Sequence, residues 1–512
     1  MTEAFREKLR RHLRESRLPV GELARRSGVS GRAIERLFAD ETLGTEDELA
    51  LAQVVGLDLS EATRPGRNPE LDWLAHNREV RTVHVAVADL NGQARGKRLP
   101  ARFAHKVVED GARMPMSVLN VDIWGDDIEN SPLVFETGDR DGILWPTERG
   151  FVPMPWLGSP SALLPTWMYT EEGQPFDGDP RHALARVVDR YAERGWRPVV
   201  ATELEFYLID DAGDDLQPPP SPRSGKRRLG GEILSLRALD AFDAFFTDLY
   251  DACEAMDIPA ETAISEGGLG QYEINLVHGD PLKAADDAWL FKLLLRGLAR
   301  RHGFAASFMA KPYAEWAGNG MHVHFSVLDE EGRNIFDDGG ARGTDLLRQA
   351  IAGCLAALPD STLILAPHGN SYDRMVPEAH APTGIAWAYE NRTAAIRIPA
   401  STPQARRIEH RVAGGDVSPY LLLTAVLGAA LTGIEDEAVP PDPITGNAYQ
   451  MNLPRLTDDW GEAIAAFERS ALIRRILPRG LIRNYLMTKK QERQYYAELS
   501  QTERLDLYLD TV

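Results

Sequence analysis

Charged and metal-binding side chains recur at every second residue in five stretches of the chain. They are Glu203-Leu-Glu205, Glu266 followed by Gln271-Tyr-Glu273-Ile-Asn275, His322-Val-His324-Phe-Ser326, Arg397 within Ile396-Arg-Ile398, and Arg407-Ile-Glu409-His-Arg411. A strand sends alternate side chains to opposite faces, so this spacing gathers each polar set on one side. Carboxylates with a histidine make a mostly oxygen ligand set of the kind Mg²⁺ and Mn²⁺ prefer, whereas zinc more commonly takes several Cys or His ligands. Arginines beside them suit phosphate, whose oxygens a guanidinium binds in pairs. Carboxylates, divalent ions and arginines together point to phosphoryl transfer from a nucleotide. Neither a Gly-x-x-x-x-Gly-Lys-Ser/Thr loop nor a dinucleotide fingerprint occurs, so another fold must hold that nucleotide.

The residues between the polar ones, Leu204, Phe206, Ile274, Val323, Phe325, Ile396, Ile398 and Ile408, are apolar and predict a buried opposite face. Such strands imply a curved sheet around a wet, carboxylate-rich cavity. Strands over Val80–Leu90 and Gly96–Leu99 flank Asn91-Gly92, a strong hairpin turn. Helices are expected at Asp179–Arg194, 238–256, 281–302 and 341–357, with a charged helical stretch over 456–510. Residues 210–231, rich in Asp, Pro and basic side chains, read as a long mobile insertion.

Upstream, residues 1–62 predict helices only, from the spacing of Leu9, Leu13, Leu18, Leu23, Ala24, Ile34 and Leu37. Gly21 to Phe38 resembles the helix-turn-helix of phage-repressor-type regulators, with Gly28 in the turn, Ser30 capping the second helix and Ile34 anchoring it. Leu49 to Leu57 resembles a further helix, and Arg64-Pro-Gly-Arg-Asn-Pro69 reads as a linker. Residues 1–67 carry 12 Arg/Lys and 12 Asp/Glu, so no net basic footprint marks them. DNA binding through Arg25, Arg26, Arg32 and Arg36 is the rival function class, with a protein-contact or assembly role favoured over it.

The chain's 512 residues suffice for two or three domains, and its net charge of −20 argues against a nucleic-acid coat protein. Two distant cysteines, Cys253 and Cys354, read as reduced and structural. The charged N-terminus lacks a signal-peptide core, and Pro419 to Ile434 falls short of the roughly 20 residues that span a bilayer. A soluble cytoplasmic protein is the expectation.

From about residue 70 onward the chain resembles the glutamine synthetases. The resemblance rests on Thr202-Glu-Leu-Glu-Phe206, Glu266-Gly-Gly-Leu-Gly-Gln-Tyr-Glu273, Lys311-Pro312 with Gly318-Asn-Gly-Met-His-Val-His324, Asn370 to Pro377, Asn391-Arg392 to Arg397, and Arg407 to Arg411. It implies an α+β chain: a β-grasp domain over 70–172 and a catalytic domain over 178–512 with a curved antiparallel sheet, preceded by the helix-turn-helix-like domain over 1–66. It implies ATP and two or three Mg²⁺ or Mn²⁺ ions as cofactors. Residues matching Glu205, Glu266 and Glu273 hold one ion, and those matching Glu203, His322 and Glu409 the second. Arg374 and Arg411, with Gly318, match the glutamate-binding positions. Arg392, Arg397 and Arg407 match phosphate contacts, and Arg374, Arg392, Arg411 and His380 are the catalytic candidates. His324 and Ser326 either approach the nucleotide or simply line the cavity. The implied assembly is a homo-oligomer, a dodecamer of stacked hexameric rings.

Two departures set the chain apart. Ammonia-using members read Arg-x-Val-Pro-x-x-Glu-Ala-Pro in a flap, whereas this chain reads Arg374-Met-Val-Pro-Glu-Ala-His-Ala-Pro382. His380 thus stands where a glutamate binds ammonium, with Glu378 two residues away. An Asp-Gly-Ser-Ser loop of those members is also missing, and Val121 to Ser131 offers Asp122, Trp124, Asp126, Asp127 and Glu129 as candidate amine-pocket residues instead. Losing a carboxylate weakens a site for a small cation, while neutral imidazole still accepts a proton near pH 7. The resemblance is therefore to the branch that joins glutamate to an organic amine, such as the γ-glutamylpolyamine synthetases. The alternative is a true glutamine synthetase using ammonia. Tyr449 lies near an adenylylated tyrosine of some members, in a stretch that reads as an ordinary loop.

Overall fold

The computed structural model describes residues 9–10, 12–13, 18–38, 45–55, 69–213, 216–227, 230–376, 381–509 and 511–512. The chain divides into two compact units, Met1–His76 and Asn77–Val512. In the first, helices Val20–Ser27 and Gly31–Phe38 are joined through Gly28, whose φ of 75° suits the missing Cβ. Ser30 Oγ accepts the Ala33 N–H at 3.2 Å, and Leu9, Leu13, Leu23, Ile34, Leu37 and Leu51 form the buried centre. The following helix runs Thr45–Val54, earlier than the Leu49–Leu57 expectation, and Pro69–His76 is helical too.

The second unit begins with a six-stranded sheet. Strands β1 (Thr82–Ala88), β2 (Ala94–Pro100), β3 (Ala112–Pro115), β4 (Asp141–Pro146), β5 (Val152–Pro153) and β6 (Ser161–Tyr169) run in the order β2-β1-β6-β4-β3, with β5 beside β6. The hairpin between β1 and β2 turns where expected, with Gly92 at φ 78° and Asp89 Oδ1 accepting the N–H groups of Asn91 and Gln93.

A second sheet of eight strands carries the alternating motifs. Strands β7 (Arg197–Ile209), β8 (Ala260–Ser265), β9 (Gln271–Leu276), β10 (Ala305–Ser307), β11 (Met321–Leu328), β12 (Trp387–Tyr389), β13 (Ile396–Ile398) and β14 (Ile408–His410) run in the order β12-β13-β14-β11-β7-β9-β8, with β10 beside β7. All pairs are antiparallel except β12 with β13. The intervening residues Leu204, Phe206, Ile274, Val323, Phe325, Ile396, Ile398 and Ile408 are all buried. They pack against helices Pro180–Ala192, Asp243–Ala255, Pro281–Arg301, Asp345–Leu365 and Pro419–Glu435. Mixed sheets and helices make this an α+β chain.

Pro419–Glu435 is buried along nearly its whole length and is a core helix. No helix among the described residues is long and apolar enough to cross a membrane. Cys253 and Cys354 are both free and buried. Two expectations need correction. The 341–357 helix starts at Asp345, where Thr344 caps it by accepting the Leu347 N–H, and continues through Pro359 to Leu365 because Leu358, Leu363, Ile364 and Leu365 stay in the core. The 210–231 stretch is partly built in: Asp210 pairs with Gln217, Pro218 and Pro219 are buried, and Arg227 Nε donates to Pro218 O at 3.1 Å. Polar composition hid those contacts.

Candidate active site

Register brings the polar residues into one field. Glu203 lies opposite His322 across β7 and β11, Glu205 opposite Glu273 across β7 and β9, and Glu409 opposite both His324 and Arg397. Glu203 is the hub: Oε2 lies 2.9 Å from His322 Nδ1, Oε1 lies 2.9 Å from His324 Nε2, and Asn275 Nδ2 donates to Oε1 at 3.4 Å. Glu409 is 1 % exposed and takes Arg397 Nη1 at 2.8 Å on one oxygen and Arg411 Nη1 on the other. Arg407 Nε donates to His324 Nδ1 at 3.2 Å, and Glu390 is a second partner of Arg397.

Gly320 marks the floor. A Cβ there would lie 2.9 Å from Arg374 Nη2, 3.2 Å from His322 Nε2 and 3.4 Å from Glu205 Oε2. The backbone N–H of Gly320 itself donates to Glu205 Oε2 at 2.6 Å. Only glycine lets a backbone come this close. Arg374 is buried, donates to Val412 O at 2.7 Å, and packs its methylenes against the position a Gly318 Cβ would fill. Burial lowers its pKa, with Glu205 and Asp416 pulling the other way.

The charges are unbalanced where the carboxylates meet. Burial, with Glu203, Glu205 and Glu266 nearby, pushes Glu273 up to about 9. Burial, with Glu205 and Glu203 nearby, raises Glu266 to about 7, partly opposed by Arg392. Glu203 goes the other way: burial would raise it, but hydrogen bonds from His322 and His324 hold it well below the usual carboxylate range. Glu409 is likewise low, because Arg411, His322, His324 and Arg397 outweigh its burial. Carboxylates packed until one must stay protonated are what a multivalent cation relieves. Ligand atoms of Glu203, Glu273 and His322 lie within 4.8 Å of one another, as do those of Glu203, His324 and Glu409. The donor set is oxygen-rich and fits hard divalent ions.

Side chains from all five stretches thus share one face. The grouping differs from the expected one: Glu203 belongs to both clusters, His324 joins Glu409, and Glu205 and Glu266 flank the clusters. Ser326 is two residues along β11 from His324, and Arg392 is exposed within electrostatic reach of Glu266. His380 and Glu378 lie outside the described residues. Asp122 is only 3 % exposed, and its Oδ1 accepts the N–H groups of Trp124, Gly125 and Asp126 at 2.9–3.1 Å. It shapes its own loop, and Trp124 packs edge-on to Tyr495; Asp126, Asp127 and Glu129 are exposed. Tyr449, read as an ordinary loop residue, is half-buried within electrostatic reach of Arg374 and Arg411. No spacing in the sequence signals that approach, nor the αL residue Glu390 behind Arg397.

Comparison with known proteins gives a consistent picture. The family description "Glutamine synthetase, catalytic domain" matches residues 177–508. The chain is 40% identical over 399 residues to the γ-glutamylputrescine synthetase PuuA of Escherichia coli strain K12, covering 75% of this chain and 82% of that protein. It is 30% identical over 444 residues to a glutamate–isopropylamine ligase of a Pseudomonas species, covering 85% and 96%. A solved GmaS/ADP complex superposes with a TM-score of 0.74 at 27% identity, covering 86% of this chain and 99% of that one.

Proposed function

The chain belongs to the glutamine synthetase family, and from that premise we propose that it joins the γ-carboxylate of glutamate to an organic primary amine through a γ-glutamyl phosphate. It is an ATP-dependent carbon–nitrogen ligase acting on glutamate and an amine, and the family uses ATP and divalent metal ions. The observation that carries the reading is the convergence of Arg374, His322 and Glu205 on Gly320. It supports a glutamate held by an arginine directly against the carboxylate cluster.

In the first step a γ-carboxylate oxygen of glutamate attacks the γ-phosphorus of ATP, the bond to the bridging oxygen breaks, and ADP leaves. In the second the amine nitrogen attacks the γ-carbonyl carbon, the carbon–oxygen bond breaks, phosphate leaves and the nitrogen gives up a proton. Glu203, Glu205, Glu266, Glu273, His322 and Glu409 would hold two or three Mg²⁺ or Mn²⁺ ions, which would supply positive charge against the transferred oxygens. Arg374 and Arg411 orient glutamate; Arg392, Arg397 and Arg407 face the phosphates. His324, with its Nδ1 against Arg407, and Ser326 line the nucleotide side. His380 takes the proton from the amine, a role for which imidazole is poised near neutrality.

The preference for an organic amine is supported by the flap sequence, in which His380 replaces the expected glutamate, and by the relatives named above. The test is isotopic. With γ-carboxyl-¹⁸O glutamate, ATP, Mg²⁺ and putrescine, released phosphate should carry one ¹⁸O and the product should have the mass of a γ-glutamyl amide. Unlabelled phosphate would exclude the acyl phosphate. A product of glutamine mass alone, formed from added ammonium, would favour the ammonia-using alternative.

A further inference from the structure

The eight-stranded sheet is electrically lopsided. Arg397 and Arg407 stand on β13 and just before β14, near one edge, while Glu205 and Glu273 stand on β7 and β9 and Glu266 directly follows β8, the strand at the other edge. Phosphates are drawn to the arginine end. The opposite end is where Glu266 directly follows β8.

At that end, residues 231–235 are laced onto the end of β8. Leu234 N–H donates to Ser265 O at 2.8 Å, Ser235 N–H to Ser265 Oγ at 2.8 Å, and Ser265 Oγ to Glu232 O at 2.7 Å. A Cβ on Gly231 would fall 2.1 Å from Gly267 O, so the segment touches the backbone directly after Glu266. Glu232 is itself occupied, accepting from Ser235 Oγ at 2.7 Å and from Arg237.

This fixed segment turns its apolar side chains outward. Ile233, Leu234 and Leu236 are 64%, 71% and 75% exposed, three of the nine large exposed apolar side chains among the described residues. Ile233 Cδ1 comes within 3.6 Å of where a Gly267 Cβ would stand. Leu234 holds a left-handed φ of 56°, costly for a branched side chain and kept only where neighbours enforce it. Clustered exposure and enforced backbone strain mark ligand-contacting surface.

We propose that Ile233 and Leu234 form the apolar wall against which the carbon chain of the amine substrate packs while its nitrogen enters beside Glu266. The inference rests on the amine-ligase reading and names the feature that selects alkyl amines over ammonium. The experiment is kcat/KM for ammonium and for methylamine through butylamine, with ATP, Mg²⁺ and glutamate saturating. For the native enzyme each added methylene should raise kcat/KM about two- to fourfold, the worth of partial to full burial of one CH₂. Ile233→Ser should flatten that slope, with losses growing with chain length. Leu234→Gly, which accepts the left-handed φ without strain, should flatten it too. An equal loss at every chain length, or a variant whose oligomeric mass shifts because the patch seats another copy, would overturn the wall. An unchanged slope would do the same while leaving the amine-ligase reading intact. If the native enzyme uses no organic amine, that reading itself fails.

Discussion

Glu266 and Glu273 are both held above the usual carboxylate range, and this has a measurable consequence. Both are raised from an ordinary 4.5, to about 7 and about 9. The folded chain then binds these protons more tightly than the unfolded chain. Their contribution to stability is full below about pH 4.5 and is lost as pH rises through about 7 and then about 9. A divalent ion removes the repulsion. The Tm difference between Mg²⁺- and EDTA-treated protein should therefore widen from pH 6 to pH 9; a constant gap would mean that these carboxylates do not bind the ion. Gly320 gives a second test at this scale. Gly320→Ala drives a methyl toward Arg374, His322 and Glu205, and should lower kcat/KM for glutamate at least tenfold while circular dichroism stays native.

Strands and helices set these residues in place, and they were legible to different degrees. The strands β7, β9 and β11 could be read because one face is polar and the other packs in the core, which enforces strict alternation. Glu203 facing His322 needs the register, which no single stretch specifies. Hence Glu203 bridges two ligand clusters where the family pattern implied separate sets. The loop at Asp122 offers amine-pocket candidates by its position, and the Asp122 carboxylate is taken up by backbone N–H groups that only the folded turn presents. A buried tie between elements was invisible for the same reason. Lys489 Nζ sits 2.7 Å from Glu492 Oε2 with both side chains at 0% exposure, and Glu492 Oε1 accepts from Asn91 Nδ2 at 3.0 Å and Ile123 N at 2.8 Å. This joins the β1–β2 hairpin turn to helix Arg479–Glu498. Glu492→Ala strands a buried ammonium and should cost about 3–5 kcal/mol in denaturant unfolding. A loss below about 1 kcal/mol would show that the tie is dispensable.

At the scale of the whole molecule, the match to the glutamine synthetase catalytic domain, residues 177–508, falls within Asn77–Val512, and Met1–His76 is a compact unit of its own. Deleting residues 1–68 is expected to leave kcat within twofold and to change assembly or partner binding instead, readable by light scattering and by salt-dependent affinity for duplex DNA. We expect the intact chain to form a homo-oligomer, a dodecamer of stacked hexameric rings. We propose that this metal and phosphate field serves an organic amine and not ammonia. The most direct measurement is the ratio of kcat/KM for the best of putrescine, isopropylamine and ethanolamine to that for ammonium, followed as phosphate release with ATP, Mg²⁺ and glutamate. The expected ratio is at least 100 in favour of the organic amine (about 2.7 kcal/mol of transition-state discrimination). A ratio of one or less would contradict it.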